Sequence, residues 1–301
     1  MKSGMPIILL FFVLLLQPAC AQHAAPSAHA DVAALQAGAG SFTFSDPACP
    51  HNQPVTVWYY NPGAREDLPV VFVMPGAGSS AREYRDGWAG YAAEKKFLLL
   101  APEFCAPEDF DAACYNRGGM ANESGAMLDE PCWTLTSIEP IFDRAKAATG
   151  ITTSRYSIYG HSAGAQFVHR LVLFKPACRL HKAIAANAGW YAMPDFSAPF
   201  PYGLAGTGVT GEALRISFSQ KLVILLGEND TDPHHPGLRT TPEAMAQGAN
   251  RLERGRRFFS SSRGAAAAAA APFNWELQVV SGAGHDSAVM SREALRILLK
   301  D

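Results

Sequence analysis

The stretch Tyr156-Ser157-Ile158-Tyr159-Gly160-His161-Ser162-Ala163-Gly164, continuing as AQFVHRLVLF to Phe174, decides how this chain is read. YSIY is a short apolar run of the kind that forms a strand buried on both faces. AQFVHRLVLF repeats its apolar residues at helical spacing. Between the two lies Gly-x-Ser-x-Gly, Gly160 to Gly164. The motif alone is moderate evidence, and a glycine-rich turn carrying a solvent serine is its bland explanation. Its place between a strand and a helix makes it specific. A chain that turns at once from strand to helix packs its flanks closely, which glycine permits. The turn lifts Ser162 above the C-terminal edge of a sheet, and the helix N-terminus behind it favours developing negative charge.

Other short apolar runs repeat the strand signal: Val55–Tyr60, Pro69–Met74, Phe97–Ala101, Ala183–Ala186, Leu222–Leu226 and Glu276–Val280. Helical spacing falls between them, over Ile138–Thr149, Ala163–Phe174 and Ser287–Leu299. Thr241-Pro242-Glu243 has helix-start chemistry. Arg82, Tyr84 and Arg85 mark another helix start, and the alanine run Ala265–Ala271 reads as a solvated helix end. Alternation of this kind predicts an α/β fold, with a mostly parallel central sheet and helices on both faces. The segment Pro102–Ser137 is long for a connection and reads as a pocket-lining insertion.

A serine hydroxyl needs a base, and the base needs an orienting acid. Past the strand Leu222–Leu226 come Gly227-Glu228-Asn229-Asp230; Asp230 is the candidate acid and Asp232 the runner-up. Past Glu276–Val280 comes Ser281-Gly282-Ala283-Gly284-His285, and His285 is the candidate base. Met74-Pro75-Gly76-Ala77-Gly78 follows another strand. The backbone N–H groups of Ala77 and Ala163 are the candidate oxyanion donors. Trp190 and Tyr191, past the strand Ala183–Ala186, are candidate substrate-binding walls, with core packing as the equal alternative. His161 is read as structural and pointing elsewhere. His234 and His235, flanked by Pro233 and Pro236, read as loop surface rather than metal ligands. No metal or organic cofactor is expected.

In order, MPGAG, YGHSAG, LLGEND and GAGH resemble the α/β-hydrolase superfamily. Within it the chain is similar to secreted esterases grouped with polyhydroxybutyrate depolymerases and feruloyl or acetylxylan esterases. The likeness runs from about Val55 to the C-terminus. It implies a triad of Ser162, Asp230 and His285, an acyl-enzyme mechanism and carboxylic ester substrates. Pro75 stands where such enzymes carry a histidine, so an imidazole contact is lost there. A peptidase or thioesterase would use the same triad, and a catalytically silent cell-envelope binding protein could share the fold.

Composition sets the outer bounds. The chain has 301 residues, 25 Lys+Arg against 27 Asp+Glu, a net charge of −2, and 48% apolar residues. There is no basic excess for nucleic acid, and the apolar content excludes intrinsic disorder. Lys2 followed by the apolar run Pro6–Leu16 and then Ala19-Cys20-Ala21 reads as a signal peptide over residues 1–21. A flexible leader is expected over 22–40 and one hydrolase domain over 41–301. The protein would be secreted or periplasmic; the alternative is a lipoprotein anchored to the membrane at Cys20. Nothing in the residues signals an oligomeric state. Export allows disulfides. Cys114 and Cys132 bracket one segment and are the preferred pair. Asn122-Glu123-Ser124 fits a glycosylation sequon.

Overall fold

A computed structural model of the protein describes residues 1, 33–49, 53–63, 65–78, 80–105 and 111–299. The signal-peptide reading, Pro6–Leu16 and Cys20 included, lies outside the described residues. Among the described residues eight strands form one sheet: β1 (Gly38–Phe44), β2 (Val55–Asn61), β3 (Val70–Met74), β4 (Leu98–Glu103), β5 (Tyr156–His161), β6 (Leu180–Ala186), β7 (Leu222–Gly227) and β8 (Trp275–Val280). Their spatial order is β1-β2-β4-β3-β5-β6-β7-β8. β1, β2 and β4 pair antiparallel, and from β4 to β8 every pairing is parallel. The helices are α1 (Ala81–Lys95), α2 (Ile138–Thr149), α3 (Ala163–Phe174), α4 (Gly211–Ser219), α5 (Pro242–Met245), α6 (Arg251–Ala268) and α7 (Ser287–Leu298).

The continuous apolar runs become strands because both sheet faces are covered. On one face Val71, Val73, Leu99, Tyr159, Ile184 and Val223 pack against Trp88 of α1 and Ala294 and Leu298 of α7. On the other, Phe72 of β3 meets Tyr156 of β5 at 5.1 Å between ring centroids, and Tyr156 meets Phe142 of α2 at the same distance. α3 is buried at every position, which explains why its sequence is apolar nearly all round. Among the described residues no helix is long and apolar enough to cross a membrane.

The leader boundary differs from the expectation at residue 40. Leu35 is buried and its N–H donates to Ala148 O at 3.1 Å, while β1 begins at Gly38. The strand GAGSFTF escaped a propensity reading because glycine is depleted in strands. Here glycine makes room for a side chain: a Cβ on Gly40 would lie 2.4 Å from Tyr59 Oη. Arg85 of α1 then ties the edge down, its Nη1 donating to Gly40 O and Tyr59 O at 3.0 Å each.

The disulfide is Cys49–Cys132, not Cys114–Cys132. Cys49 follows β1, and the turn there carries it onto a single 3₁₀ turn, Glu130–Cys132, inside the long insertion. That proximity is tertiary, across 83 residues of sequence, so adjacency along the chain misleads. Cys105, Cys114 and Cys178 are free thiols. The insertion also braces the sheet edge that carries Ser162. Tyr115 Oη donates to Pro75 O at 2.8 Å, and Asn116 Nδ2 donates to Gln166 Oε1 at 2.9 Å.

Candidate active site

Ser162 lies between β5 and α3 with φ 56° and ψ −111°, a conformation few residues other than glycine adopt. Close packing holds it there. A Cβ on Gly160 would sit 2.2 Å from Gly164 O, and one on Gly164 would sit 2.1 Å from Met74 O. Both glycines of the motif are therefore steric requirements, the second joining the elbow to the end of β3. Ser162 N–H donates to Ala186 O at 2.9 Å, which ties the elbow to β6 on the other side.

The loop after β8 carries His285 to Ser162, and the loop after β7 carries Asp230 to His285. His285 Nε2 lies 3.1 Å from Ser162 Oγ, and His285 Nδ1 lies 2.7 Å from Asp230 Oδ2. With Asp230 ionised, Nδ1 carries the proton and donates to it, leaving Nε2 to accept from the serine hydroxyl. Asp230 is buried, whereas Ser162 and His285 are part-exposed. The serine and the imidazole are thus accessible while the carboxylate is not. Asp232 does not join the group: it is exposed and its Oδ1 accepts the N–H of His234 at 2.8 Å in a local turn.

Ala163 is the first residue of α3, so its N–H has no acceptor within the helix. The loop that carries Ala77 passes directly over the serine: a Cβ on Gly76 would lie 3.7 Å from Ser162 Cβ. That same point is 3.3 Å from Tyr84 Oη, so a tyrosine of α1 stands beside the loop that carries Pro75 and Ala77. Burial raises the Tyr84 phenol, which contacts Gly76 main chain and the Ser287 hydroxyl, so it stays protonated at neutral pH.

Three expectations change. Trp190 and Tyr191 are not open walls. Tyr191 is fully buried and stacks on Phe258 of α6 at 4.4 Å, and a ring with both faces packed has none to offer a substrate. Trp190 is buried, with the guanidinium groups of Arg170 and Arg239 over its ring, 4.4 and 5.0 Å from its centroid. His161 does not point elsewhere: its ring centroid is 4.7 Å from that of His285, and burial pushes its imidazole down to about 3. His235 is not simply loop surface. Its ring centroid lies 5.4 Å from His285 and its Nδ1 lies 3.2 Å from Arg251 Nη2. Arg251 in turn reaches Asp230 Oδ1 with Nη1 at 3.4 Å. No motif announces Arg251; an arginine opening a polar helix reads as solvated until its side chain proves buried. Among the described residues no group of three or more His, Cys, Asp or Glu is arranged to hold a metal ion.

No protein-family model and no curated protein matches the chain. Solved structures do. Poly(aspartic acid) hydrolase-1 from Sphingomonas sp. KT-1 is 41% identical, over 88% of this chain and 100% of that one, with a TM-score of 0.84. A poly(3-hydroxybutyrate) depolymerase from Bordetella parapertussis is 34% identical, over 88% of this chain and 91% of that one, with a TM-score of 0.82. An S-formylglutathione hydrolase from Staphylococcus aureus, 16% identical over 88% of this chain and 98% of that one, shares the fold at a TM-score of 0.56. At the identities of the first two, over nearly the whole of each, the chain belongs to the α/β-hydrolase superfamily, as a serine-esterase-like hydrolase in the family of those two enzymes.

Proposed function

We propose that the protein hydrolyses carboxylic esters through an acyl-enzyme on Ser162. The observation that carries this reading is the relay of Ser162 Oγ, His285 and Asp230 at 3.1 and 2.7 Å. His285 Nε2 takes the hydroxyl proton as Oγ bonds to the ester carbonyl carbon. The carbonyl oxygen becomes an oxyanion facing the Ala77 and Ala163 N–H groups. Collapse breaks the bond to the alcohol oxygen, which leaves with the proton from Nε2. Water, deprotonated by the same nitrogen, then attacks the acyl carbon; the acid leaves and Ser162 regains its proton. Asp230 stays ionised throughout and stabilises the imidazolium.

Purified protein on p-nitrophenyl esters of rising acyl length tests this. Ser162→Ala should abolish turnover and labelling by a fluorophosphonate probe; unchanged turnover would refute the mechanism. An amide polymer bearing carboxylates is the second reading. The 41% identical relative is described as a poly(aspartic acid) hydrolase. Release of soluble fragments from poly(aspartic acid), set against poly(3-hydroxybutyrate), separates the two.

Export completes the proposal. It rests on the leader over residues 1–21 and is supported by the Cys49–Cys132 disulfide, which an oxidising compartment maintains. The mature N-terminus of secreted protein should be Gln22; an acylated Cys20 would establish the anchored form instead.

A further inference from the structure

The proposed relay uses only one oxygen of Asp230. The other, Oδ1, lies 3.4 Å from Arg251 Nη1, and Nη2 of the same guanidinium lies 3.2 Å from His235 Nδ1. The His235 ring then stands edge-on to His285, at 5.4 Å and an interplanar angle of 63°. The path His285, Asp230, Arg251, His235 and back to His285 is a closed circuit of side chains. Three elements contribute to it: the loop after β7 gives Asp230 and His235, the first residue of α6 gives Arg251, and the loop before α7 gives His285.

The circuit is built rather than incidental. The side chains of Arg251 and Asp230 are 2% and 4% exposed, and arginine is almost never so buried without a partner. Leu252 N–H donates to Asp230 O at 3.2 Å, so the main chain of α6 grips the same residue. His235 Nδ1 also accepts the N–H of Gly237 at 3.0 Å. A ring nitrogen that receives an amide and a guanidinium donor carries no proton, so His235 sits there neutral, with its hydrogen on Nε2.

We infer that Arg251 and His235 are positioning residues for the acid–base pair: Arg251 turns the Asp230 carboxylate so that Oδ2 faces His285, and neutral His235 holds Arg251 and the edge of the His285 ring in place. The inference rests on reading Ser162, His285 and Asp230 as the reacting groups. It carries a pH consequence. The charged and titratable groups facing His235 are Arg251 from α6, His285 from the loop before α7, and Asp230 and Asp232 from its own loop. Burial and the two basic neighbours hold its imidazole below the ordinary range, against the pull of the two carboxylates. A proton arriving at Nδ1 would set an N–H against the donors of Arg251 and Gly237. Acid therefore opens the circuit as well as protonating the base.

The test is kcat and KM for p-nitrophenyl acetate across pH, with fluorophosphonate labelling and thermal unfolding of each variant. Arg251→Met should lower kcat by about 10- to 100-fold with KM little changed, the range a hydrogen bond between charged groups commands. Arg251→Lys should recover part of the loss. His235→Asn places an acceptor oxygen where Nδ1 was, and should be less impaired than His235→Phe, which keeps a ring and deletes the acceptor. The acid limb of the wild-type profile should show two ionisations and that of His235→Asn one. A folded Arg251→Met with kcat within about twofold of wild type, or a His235→Asn acid limb superimposable on wild type, would overturn the inference. Should Arg251→Met not fold, Arg251→Lys and the two His235 variants decide it. Wild-type protein that the probe does not label refutes the triad reading itself, a result distinct from either.

Discussion

Consider Gly164→Ala, a single added methyl two residues past the candidate nucleophile. Its ideal Cβ position lies 2.1 Å from Met74 O, 2.7 Å from Met74 C and 2.8 Å from Pro75 O. All three are main-chain atoms, so no side chain can swing aside. An ordinary contact needs more than 3 Å, so the end of β3 and the elbow must part by about 1 Å. That displacement falls between Ser162 and the loop carrying Ala77. Overpacking of this kind costs about 1–3 kcal/mol of stability, read as a fall of roughly 2–7 °C in a chain this long. A misplacement of about 1 Å between catalytic groups costs on the order of 10²-fold in rate, equivalent to about 2.7 kcal/mol of transition-state stabilisation. The assay is kcat/KM on p-nitrophenyl acetate beside a thermal melt. Gly87→Ala is the control: Gly87 lies in the interior of α1, and its added Cβ would meet nothing within 4 Å. It should leave activity unchanged and stabilise the protein by about 0.5–1 kcal/mol. Gly164→Ala with kcat/KM within about twofold of wild type would refute the argument that this glycine sets the distance between elbow and oxyanion loop.

Three further outcomes follow from the structure. Asp230→Asn should lower kcat by about 10³- to 10⁴-fold, whereas Asp232→Asn, exposed and accepting from the N–H of His234 in its own turn, should fall by less than about twofold; the reverse ranking would reassign the acid. Cys49→Ala should destabilise the protein by up to about 4–5 kcal/mol, the chain-entropy limit for so long a loop, while Cys114→Ala should cost far less; urea unfolding with and without reductant measures both. His161 is held neutral by burial, with a folded pKa of about 3 against an unfolded value near 6.5. The unfolded chain therefore binds the proton first, so its contribution is intact above about pH 6.5 and erodes as pH falls, by about 1.4 kcal/mol per unit. His161→Gln should remove that slope from urea unfolding measured between about pH 6 and pH 4.

Wherever burial is continuous, the strand runs are legible: Val70–Met74, Leu222–Gly227 and the other central strands fall within a residue or a few of their apolar runs. β1 is not, because its glycines lower its strand propensity, and Gly40 lies against the Tyr59 ring, which the sequence does not announce. Ser162 and His285 carry local signals, a strand-turn-helix motif and a glycine-rich loop after a strand. Asp230 carries half of one, since two aspartates share its loop and only the fold separates them. Arg251 and His235 carry none. Their roles come from a contact between α6 and two loops, made across the C-terminal edge of the sheet. Tyr191 shows the converse error: a strand-end position suggested a pocket, but the helix packed behind it, α6, closes over the ring. The Cys49–Cys132 bond belongs with Arg251, a tertiary meeting with no trace along the chain.

The backbone of Ser162 has one more consequence. A residue with a side chain held at φ 56° and ψ −111° stores about 1–3 kcal/mol that glycine would not. Ser162→Ala keeps that conformation and its cost, while Ser162→Gly releases it, less the roughly 0.5–1 kcal/mol of extra unfolded-chain entropy glycine brings. The position essential to the proposed chemistry is therefore one where a change that ends activity is expected to make the fold more durable. Selection for stability alone would favour glycine there.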